Sequence, residues 1–166
     1  GDVGDAALAL AYQNKEFTLP DNFASQVIDK LQYPKPRILA GQTLRQYASA
    51  CIDISDGVIA DLNHICQNSN VSAYVEADLV PISGVMTEMV SQNQALEVAM
   101  TGGDDYELLF TVSQDNKVGM ETAMSHIGVK CTCIGQVKTG NPKINVFLND
   151  EVIDFSRSGF EHFADA

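Results

Sequence analysis

Basic residues are few in this sequence, and their shortage limits the partners that the protein can bind. The chain carries 10 Lys and Arg against 22 Asp and Glu, which gives a formal net charge of −12. Binding to a nucleic-acid backbone requires clustered Lys and Arg, so this balance argues against a nucleic-acid partner. It does not exclude a phosphate-bearing substrate, because Mg²⁺ can bridge carboxylates and phosphates. For most of the acidic residues, solubility is the simpler explanation.

Long hydrophobic runs are missing as well. No apolar stretch of the 166 residues approaches the length of a membrane span, and no secretory signal peptide is visible. We therefore expect no membrane partner and a cytoplasmic location. The chain length fits one domain that can bury a sizeable core.

Cysteine is also scarce. The four cysteines are Cys51, Cys66, Cys131 and Cys133. Their spacing does not match a zinc-ligand framework, and a disulfide scaffold is unexpected in a chain of this size. We predict buried free thiols. The three histidines show no metal-ligand spacing either, and His64 is expected to be structural.

The most informative stretch is the turn between a predicted strand and a predicted helix. The apolar run 48–54 predicts a buried strand. An amphipathic pattern after Gly57 predicts a helix. Three polar residues, Asp53, Ser55 and Asp56, crowd the turn between these two elements.

This turn has two explanations. A helix start offers free backbone N–H groups and the positive end of the helix dipole. Two carboxylates there could hold a divalent cation, and the N–H groups or Ser55 could hold a phosphate. Alternatively, Ser55 or Asp56 simply caps the helix. Capping accounts for one polar residue, but it does not account for Asp53 as well.

A second acidic stretch, Gly102-Gly103-Asp104-Asp105, forms a predicted turn between a helix and a strand. Its glycines allow a ligand to approach the backbone closely. The two acids could accept hydrogen bonds from a cationic or amine-bearing substrate. The alternative is an ordinary acidic loop.

Helical and strand patterns alternate through the middle of the chain. This alternation predicts an α/β (α+β) structure in which helices pack on a mixed β-sheet. A short helix is predicted at 43–49. The last two predicted strands, 129–137 and 144–148, could form a hairpin. The tail from residue 151 is predicted to be irregular, and it carries several aromatic residues.

Four stretches, taken together and in order, resemble one known family. They are 1–7, 53–65, 101–110 and 159–163. The first three contain the motifs Gly-x-x-Gly-Asp-Ala-Ala, Asp-Ile-Ser-Asp-Gly and Gly-Gly-Asp-Asp-Tyr-Glu-Leu, and the fourth is an aromatic tail. The chain thereby resembles the C-terminal domain of thiamine-monophosphate kinase, in the aminoimidazole-ribonucleotide synthetase superfamily.

The resemblance implies a fold, a reaction and a domain organisation. Residues 1–166 would be a single C-terminal domain of a two-domain kinase. The N-terminal domain, which binds ATP and Mg²⁺ and forms a homodimer in that family, is absent from this chain. The implied reaction is ATP-dependent phosphorylation of thiamine monophosphate to thiamine diphosphate, with Mg²⁺ as cofactor and ATP as co-substrate.

The resemblance also assigns site residues. Asp53 and Asp56 would be metal ligands, and Ser55 would contact ATP. Asp104 and Phe160 would bind thiamine monophosphate, and no catalytic residue is assigned. The family has Glu where this chain has Asp104, which is one methylene shorter. For Phe160, packing of an aromatic tail into the core is an equal alternative to contact with the cationic thiazolium.

Two other functions stay open at this point. One is the activity of another superfamily member, such as a selenophosphate synthetase or a hydrogenase-maturation protein, which the stretch 102–108 disfavours. The other is a metal- or nucleotide-binding module without activity. Calorimetry with Mg-ATP and thiamine monophosphate distinguishes them, because a dedicated module should bind one ligand well whereas a half-site should bind phosphates weakly.

Overall fold

The computed structural model describes residues 1–155, which contain seven α-helices and six strands. The helices are α1 (Asp5–Gln13), α2 (Asp21–Gln32), α3 (Ile38–Leu44), α4 (Val58–Ser69), α5 (Gly84–Met89), α6 (Gln92–Thr101) and α7 (Gln114–His126). The strands are β1 (Ala48–Asp53), β2 (Val71–Glu76), β3 (Leu108–Val112), β4 (Gly135–Thr139), β5 (Lys143–Leu148) and β6 (Glu151–Ile153). No helix of residues 1–155 is both long enough and apolar enough to cross a bilayer.

Within the described residues, the strands form two sheets. β1 and β3 pair antiparallel, and Asp53 at the end of β1 lies opposite Leu108. The second sheet has the order β4-β2-β5-β6. In it β2 runs antiparallel to β4 and parallel to β5. The predicted α/β fold with a mixed sheet and packed helices is therefore confirmed.

The predicted hairpin of the last two strands is wrong, because β2 lies between them. Ala73 and Val75 of β2 are 1% and 2% exposed, which suits a central strand. The hydroxyl of Ser72 donates to the carbonyl of Asn141 at 2.6 Å, which ties β2 to the connection between β4 and β5. The interaction partners of a strand lie far away in sequence, so local patterning cannot identify them.

Strand β1 is half buried rather than fully buried as predicted. Its side chains alternate between partly buried and exposed, and Cys51 and Asp53 lie on the exposed face. A short apolar run does not distinguish these two environments. The prediction of buried thiols holds for Cys66 but is wrong for Cys51 and for Cys133, which are exposed.

Three apolar clusters hold the described elements together. The first joins α4 and α6 to both sheets, and it includes Ile54, Val58 and Met100. The second joins α1, α2, α5 and α6, and the third joins α3 to α7. A fully buried aliphatic side chain contributes about 1.5–3 kcal/mol, so packing fixes α4 and with it the turn that precedes it.

Three element predictions need correction. The short helix expected at 43–49 is α3, which begins at Ile38 and ends at Leu44. The strand expected at 129–137 begins only at Gly135. The tail expected to be irregular contains β6, and Phe155 packs against the first apolar cluster. Phe160 lies outside the described residues.

Candidate functional site

The turn between β1 and α4 depends on a glycine. Gly57 precedes the helix with φ 114° and ψ 154°, a backbone conformation that favours glycine. A Cβ at Gly57 would lie 2.9 Å from the carbonyl oxygen of Thr101. Glycine at this position therefore lets the turn press against the end of α6.

The side chain of Asp61 closes this turn. Its Oδ2 accepts hydrogen bonds from the backbone N–H groups of Ser55 at 2.9 Å and Asp56 at 3.1 Å. Asp61 is only 2% exposed, and burial raises its pKa although these bonds oppose the shift. The carboxylate thus occupies the position that an anionic ligand could take at a helix start.

One expectation about the turn is therefore wrong. The residue that caps α4 is Gly57, which has no side chain to contribute, so neither Ser55 nor Asp56 is the cap. The N–H groups of Ser55 and Asp56, which precede the helix, donate to Asp61, and phosphate binding by the N–H groups of the helix start itself stays a prediction. The sequence signal for this arrangement was an acid in the first turn of the helix.

The second acidic stretch packs directly on this turn. The N–H of Asp104 donates to the carbonyl of Ser55 at 2.9 Å, and the N–H of Tyr106 donates to the carbonyl of Ile54 at 2.8 Å. A Cβ at Gly103 would lie 2.3 Å from the same Ser55 oxygen. The two acidic stretches, which are distant in sequence, therefore form one surface, which we call the acidic surface: Asp53, Ser55, Asp56, Asp104 and Tyr106.

Tyr106 lies among the carboxylates of the acidic surface. Its hydroxyl donates to Oδ1 of Asp104 at 3.1 Å. This bond and the charge of Asp104 raise the pKa of Tyr106, with smaller contributions from burial and from the charges of Asp53 and Asp56. The Tyr106 hydroxyl, which sequence analysis did not single out, thus bonds one predicted site residue, Asp104, and its pKa responds to the charges of two others.

Asp105, the neighbour of Asp104, has a structural role. Its Oδ2 accepts a hydrogen bond from the N–H of Gly4 at 2.8 Å, just before α1. Burial raises its pKa to about 7. The grouping of Asp105 with Asp104 as a substrate contact is therefore not supported, because its carboxylate is used to hold the start of α1.

Asp5 is a buried acid next to the partly buried Asp105, and it is 1% exposed. The hydroxyl of Ser83 donates to its Oδ1 at 2.6 Å, and Lys30 forms an ion pair with its other oxygen. Hydrogen bonds and a cation together compensate the cost of burying this charge. We call these two residues the Asp5–Asp105 pair.

Glu107 anchors the end of the second acidic stretch. Arg37, just before α3, binds it through two bonds, with Nε to Oε2 at 2.7 Å and Nη2 to Oε1 at 2.5 Å. Burial would raise the pKa of Glu107, but the positive charges beside it, Arg37 first among them, together lower the pKa. A bidentate pair of this kind fixes geometry as well as charge.

Among residues 1–155, one group of three side chains has possible metal-ligand atoms within 4.8 Å of one another: Asp56, Asp61 and His64. His64 is exposed rather than packed in the core as a structural histidine would be. Since Asp61 already accepts two backbone hydrogen bonds, this group alone does not define a metal site. Within the described residues Asp53 is not a member of it.

Comparison with known proteins identifies the family. Residues 1–146 match the family described as AIR synthase related protein, C-terminal domain. The chain is 41% identical to the thiamine-monophosphate kinase of Salmonella typhimurium over 165 residues, which cover 99% of this chain and 51% of that protein.

Solved structures agree with this match. The crystal structure of thiamine-monophosphate kinase from Stenotrophomonas maltophilia K279a superposes with a TM-score of 0.79 at 36% identity, covering 92% of this chain and 49% of that one. AaThiL complexed with AMPPCP and TMP gives a TM-score of 0.76 at 28% identity, covering 98% and 49%. The chain thus spans about half the length of these relatives. By its match over residues 1–146, the chain belongs to the AIR synthase related protein family, as a C-terminal domain.

Proposed function

We propose that this chain is the C-terminal half of an enzyme that transfers the γ-phosphoryl group of ATP to thiamine monophosphate and thereby forms thiamine diphosphate. The observation that carries the proposal is the acidic surface, which occurs in a chain that is 41% identical to a thiamine-monophosphate kinase. Two stretches that resemble motifs of that family contact each other through main-chain hydrogen bonds and gather three carboxylates.

For the phosphate side of the reaction, we assign Asp53 and Asp56 to Mg²⁺ and Ser55 to ATP. Carboxylate oxygens are the ligands that Mg²⁺ prefers. Asp53 is exposed at the end of β1, and its charge and that of Asp56 both reach the Tyr106 hydroxyl. A cation would relieve this negative potential, so the residues fit the ion. When bound, Mg²⁺ would neutralise charge on the transferring phosphoryl group.

The contribution of the protein itself is positioning. Phosphoryl transfer depends mainly on the placement of groups and on charge neutralisation. The two bonds to Asp61 and the glycine at position 57 hold the turn that carries Asp56 in one shape, directly after the strand that ends at Asp53. Such a rigid turn supports a preorganised site.

On the acceptor side, we assign Asp104 to thiamine monophosphate. Asp104 is exposed and lies next to the turn that carries Asp53 and Asp56. Its carboxylate can accept a hydrogen bond from the amine-bearing part of the substrate. A role for Phe160 beside the thiazolium is a prediction from the resemblance. So are a preceding domain with further Mg²⁺ ligands, a homodimer through that domain, and a cytoplasmic location.

The test is a turnover assay on the complete enzyme. ADP release is coupled to a dehydrogenase, and thiamine diphosphate is quantified by chromatography, with ATP, Mg²⁺ and thiamine monophosphate present. Unphosphorylated thiamine serves as the control substrate. We expect ADP and thiamine diphosphate in equal amounts. ADP release that does not require thiamine monophosphate would overturn the proposal.

A further inference from the structure

We propose that Tyr106 is a positioning residue that holds the carboxylate of Asp104 in place for the substrate. The inference rests on the proposed function and deepens it, because it concerns how the acceptor is bound. Asp104 is assigned to substrate contact, whereas Tyr106 acts through Asp104.

The Tyr106 hydroxyl donates to Oδ1 of Asp104 at 3.1 Å, across only one intervening residue. An exposed aspartate otherwise samples several rotamers. A hydrogen bond to one carboxylate oxygen selects among them. We assign the other oxygen, Oδ2, to the substrate.

The backbone of Asp104 and Tyr106 has an unusual conformation. Asp104 and Tyr106 have φ angles of 66° and 51°, in the left-handed region that aromatic residues rarely adopt. Hydrogen bonds from the two N–H groups to the turn before α4 maintain this conformation. Strained backbone that the surrounding structure maintains is concentrated at functional sites. Here it brings both side chains to the acidic surface.

Packing of the ring does not explain why a tyrosine stands at position 106. The residue is 39% exposed, and it belongs to none of the apolar clusters found in residues 1–155. A tyrosine kept for its ring alone would bury more of it. Its best-defined side-chain interaction is the hydroxyl bond to Asp104.

Replacing Tyr106 by Phe in the complete enzyme tests the role of the hydroxyl. We expect KM for thiamine monophosphate to rise about three- to tenfold, since a hydrogen bond to a charged group is lost. The KM for ATP, kcat and the melting temperature should change little. Tyr33→Phe is the matched control, because Tyr33 is 72% exposed at the end of α2; it should leave both KM values unchanged.

A double-mutant cycle with Asp104→Ala makes the test specific. If Tyr106 acts only through Asp104, then Tyr106→Phe should add no further loss in the Asp104→Ala background. Calorimetric titration with thiamine monophosphate should give the same pattern in Kd without depending on turnover. An unchanged thiamine monophosphate KM in Tyr106→Phe, or a loss that persists in the Asp104→Ala background, overturns the role of Tyr106 alone. A wild-type enzyme without thiamine monophosphate-dependent turnover overturns the proposed function and this inference with it.

Discussion

Asp104 and Asp105 are adjacent in the chain, yet they belong to different regions of the molecule. Asp104 is exposed on the acidic surface, where it bonds the hydroxyl of an exposed tyrosine. Asp105 belongs to the Asp5–Asp105 pair and bonds the N–H of Gly4. In that pair, backbone and side-chain donors already bond the carboxylates and tie them to the fold.

The comparison shows that residue type alone does not identify a functional acid. Burial and hydrogen-bond partners separate the two sets. Asp5 is buried with Ser83 and Lys30 as partners, an arrangement typical of a charge that holds a fold together. On the acidic surface Asp53 and Asp104 are exposed and Asp56 is partly exposed, and a cation or a cationic ligand would stabilise their negative charge.

The largest expected effect is the loss of turnover when the acidic surface is tested in the 166-residue chain alone. We expect the 166-residue chain alone to fold but to show no turnover with ATP, Mg²⁺ and thiamine monophosphate. The turn provides two candidate metal carboxylates, and the charge of the phosphoryl-transfer transition state requires more neutralisation than they supply. A coupled ADP-release assay measures this, and circular dichroism checks folding. Robust turnover would show that no further domain is required.

The next effect would separate a metal ligand from a structural acid. In the complete enzyme, Asp53→Asn should lower kcat on the order of 100-fold and raise the Mg²⁺ concentration required, because a hard anionic oxygen is lost. Its exposed position predicts an unchanged melting temperature. Kinetics over a range of Mg²⁺ concentrations tests this, with Asp29→Asn on the exposed face of α2 as control. Full activity at low Mg²⁺ with a sharply lowered melting temperature would make Asp53 structural.

A smaller effect is expected at Asp104. Asp104→Ala should lower kcat/KM for thiamine monophosphate roughly ten- to hundredfold, since a charged hydrogen bond contributes about 1.5–3 kcal/mol. ATP binding should be nearly unchanged. Asp104→Glu restores the longer acid of the family and should keep or lower KM. Measuring both KM values and the melting temperature tests the assignment of Asp104 to thiamine monophosphate. An unchanged KM for thiamine monophosphate in Asp104→Ala would show that Asp104 does not bind this substrate.

The smallest effect on activity is expected at Asp105, where the readout is stability against pH. Its folded-state pKa of about 7 lies above the ordinary value of 3.8. Between these values the folded state retains a proton that the unfolded state releases, so stability falls as pH rises from about 4 to 7. At about 1.4 kcal/mol per pKa unit, the loss is a few kcal/mol.

Asp105→Asn tests this difference between the two neighbours. The variant should flatten the decline of the melting temperature between about pH 4 and 7, because it removes the titrating carboxylate. It should leave KM for thiamine monophosphate unchanged. If Asp105→Asn instead raises that KM as Asp104→Ala does, the distinction between the acidic surface and the Asp5–Asp105 pair is wrong.

Much of the fold could be predicted from sequence because its signals are local. The amphipathic pattern after Gly57 predicted α4, and the alternation of patterns predicted a mixed sheet with helices. The candidate site residues were chosen from motifs that resemble a family. The structure places the stretches that carry Asp56 and Asp104 side by side, because the main chain of residues 104–106 bonds that of residues 54–55.

The rest depended on contacts between distant residues. An acid in the first turn of α4 is a weak local signal for the bonds from the preceding turn to Asp61, and nothing in the local pattern indicates that β2 separates β4 from β5. Tyr106 was overlooked because its hydroxyl gains significance only from the carboxylates around it. Asp104 and Asp105 have different roles because the backbone places their adjacent side chains in different surroundings, and residue type alone does not reveal this.

The central position of β2 has a consequence for synthesis of the chain in the cell. Both neighbours of β2 come later in the sequence, and Asn145 of β5 donates to the carbonyl of Ala73, 72 residues earlier. As the chain leaves the ribosome, both edges of β2 stay unpaired until β4 and β5 have emerged. Sheets closed by such distant pairings form slowly and expose strand edges that aggregate. We therefore expect recombinant yield to improve at low temperature or with added chaperones, and fragments that end before Lys143 to be insoluble.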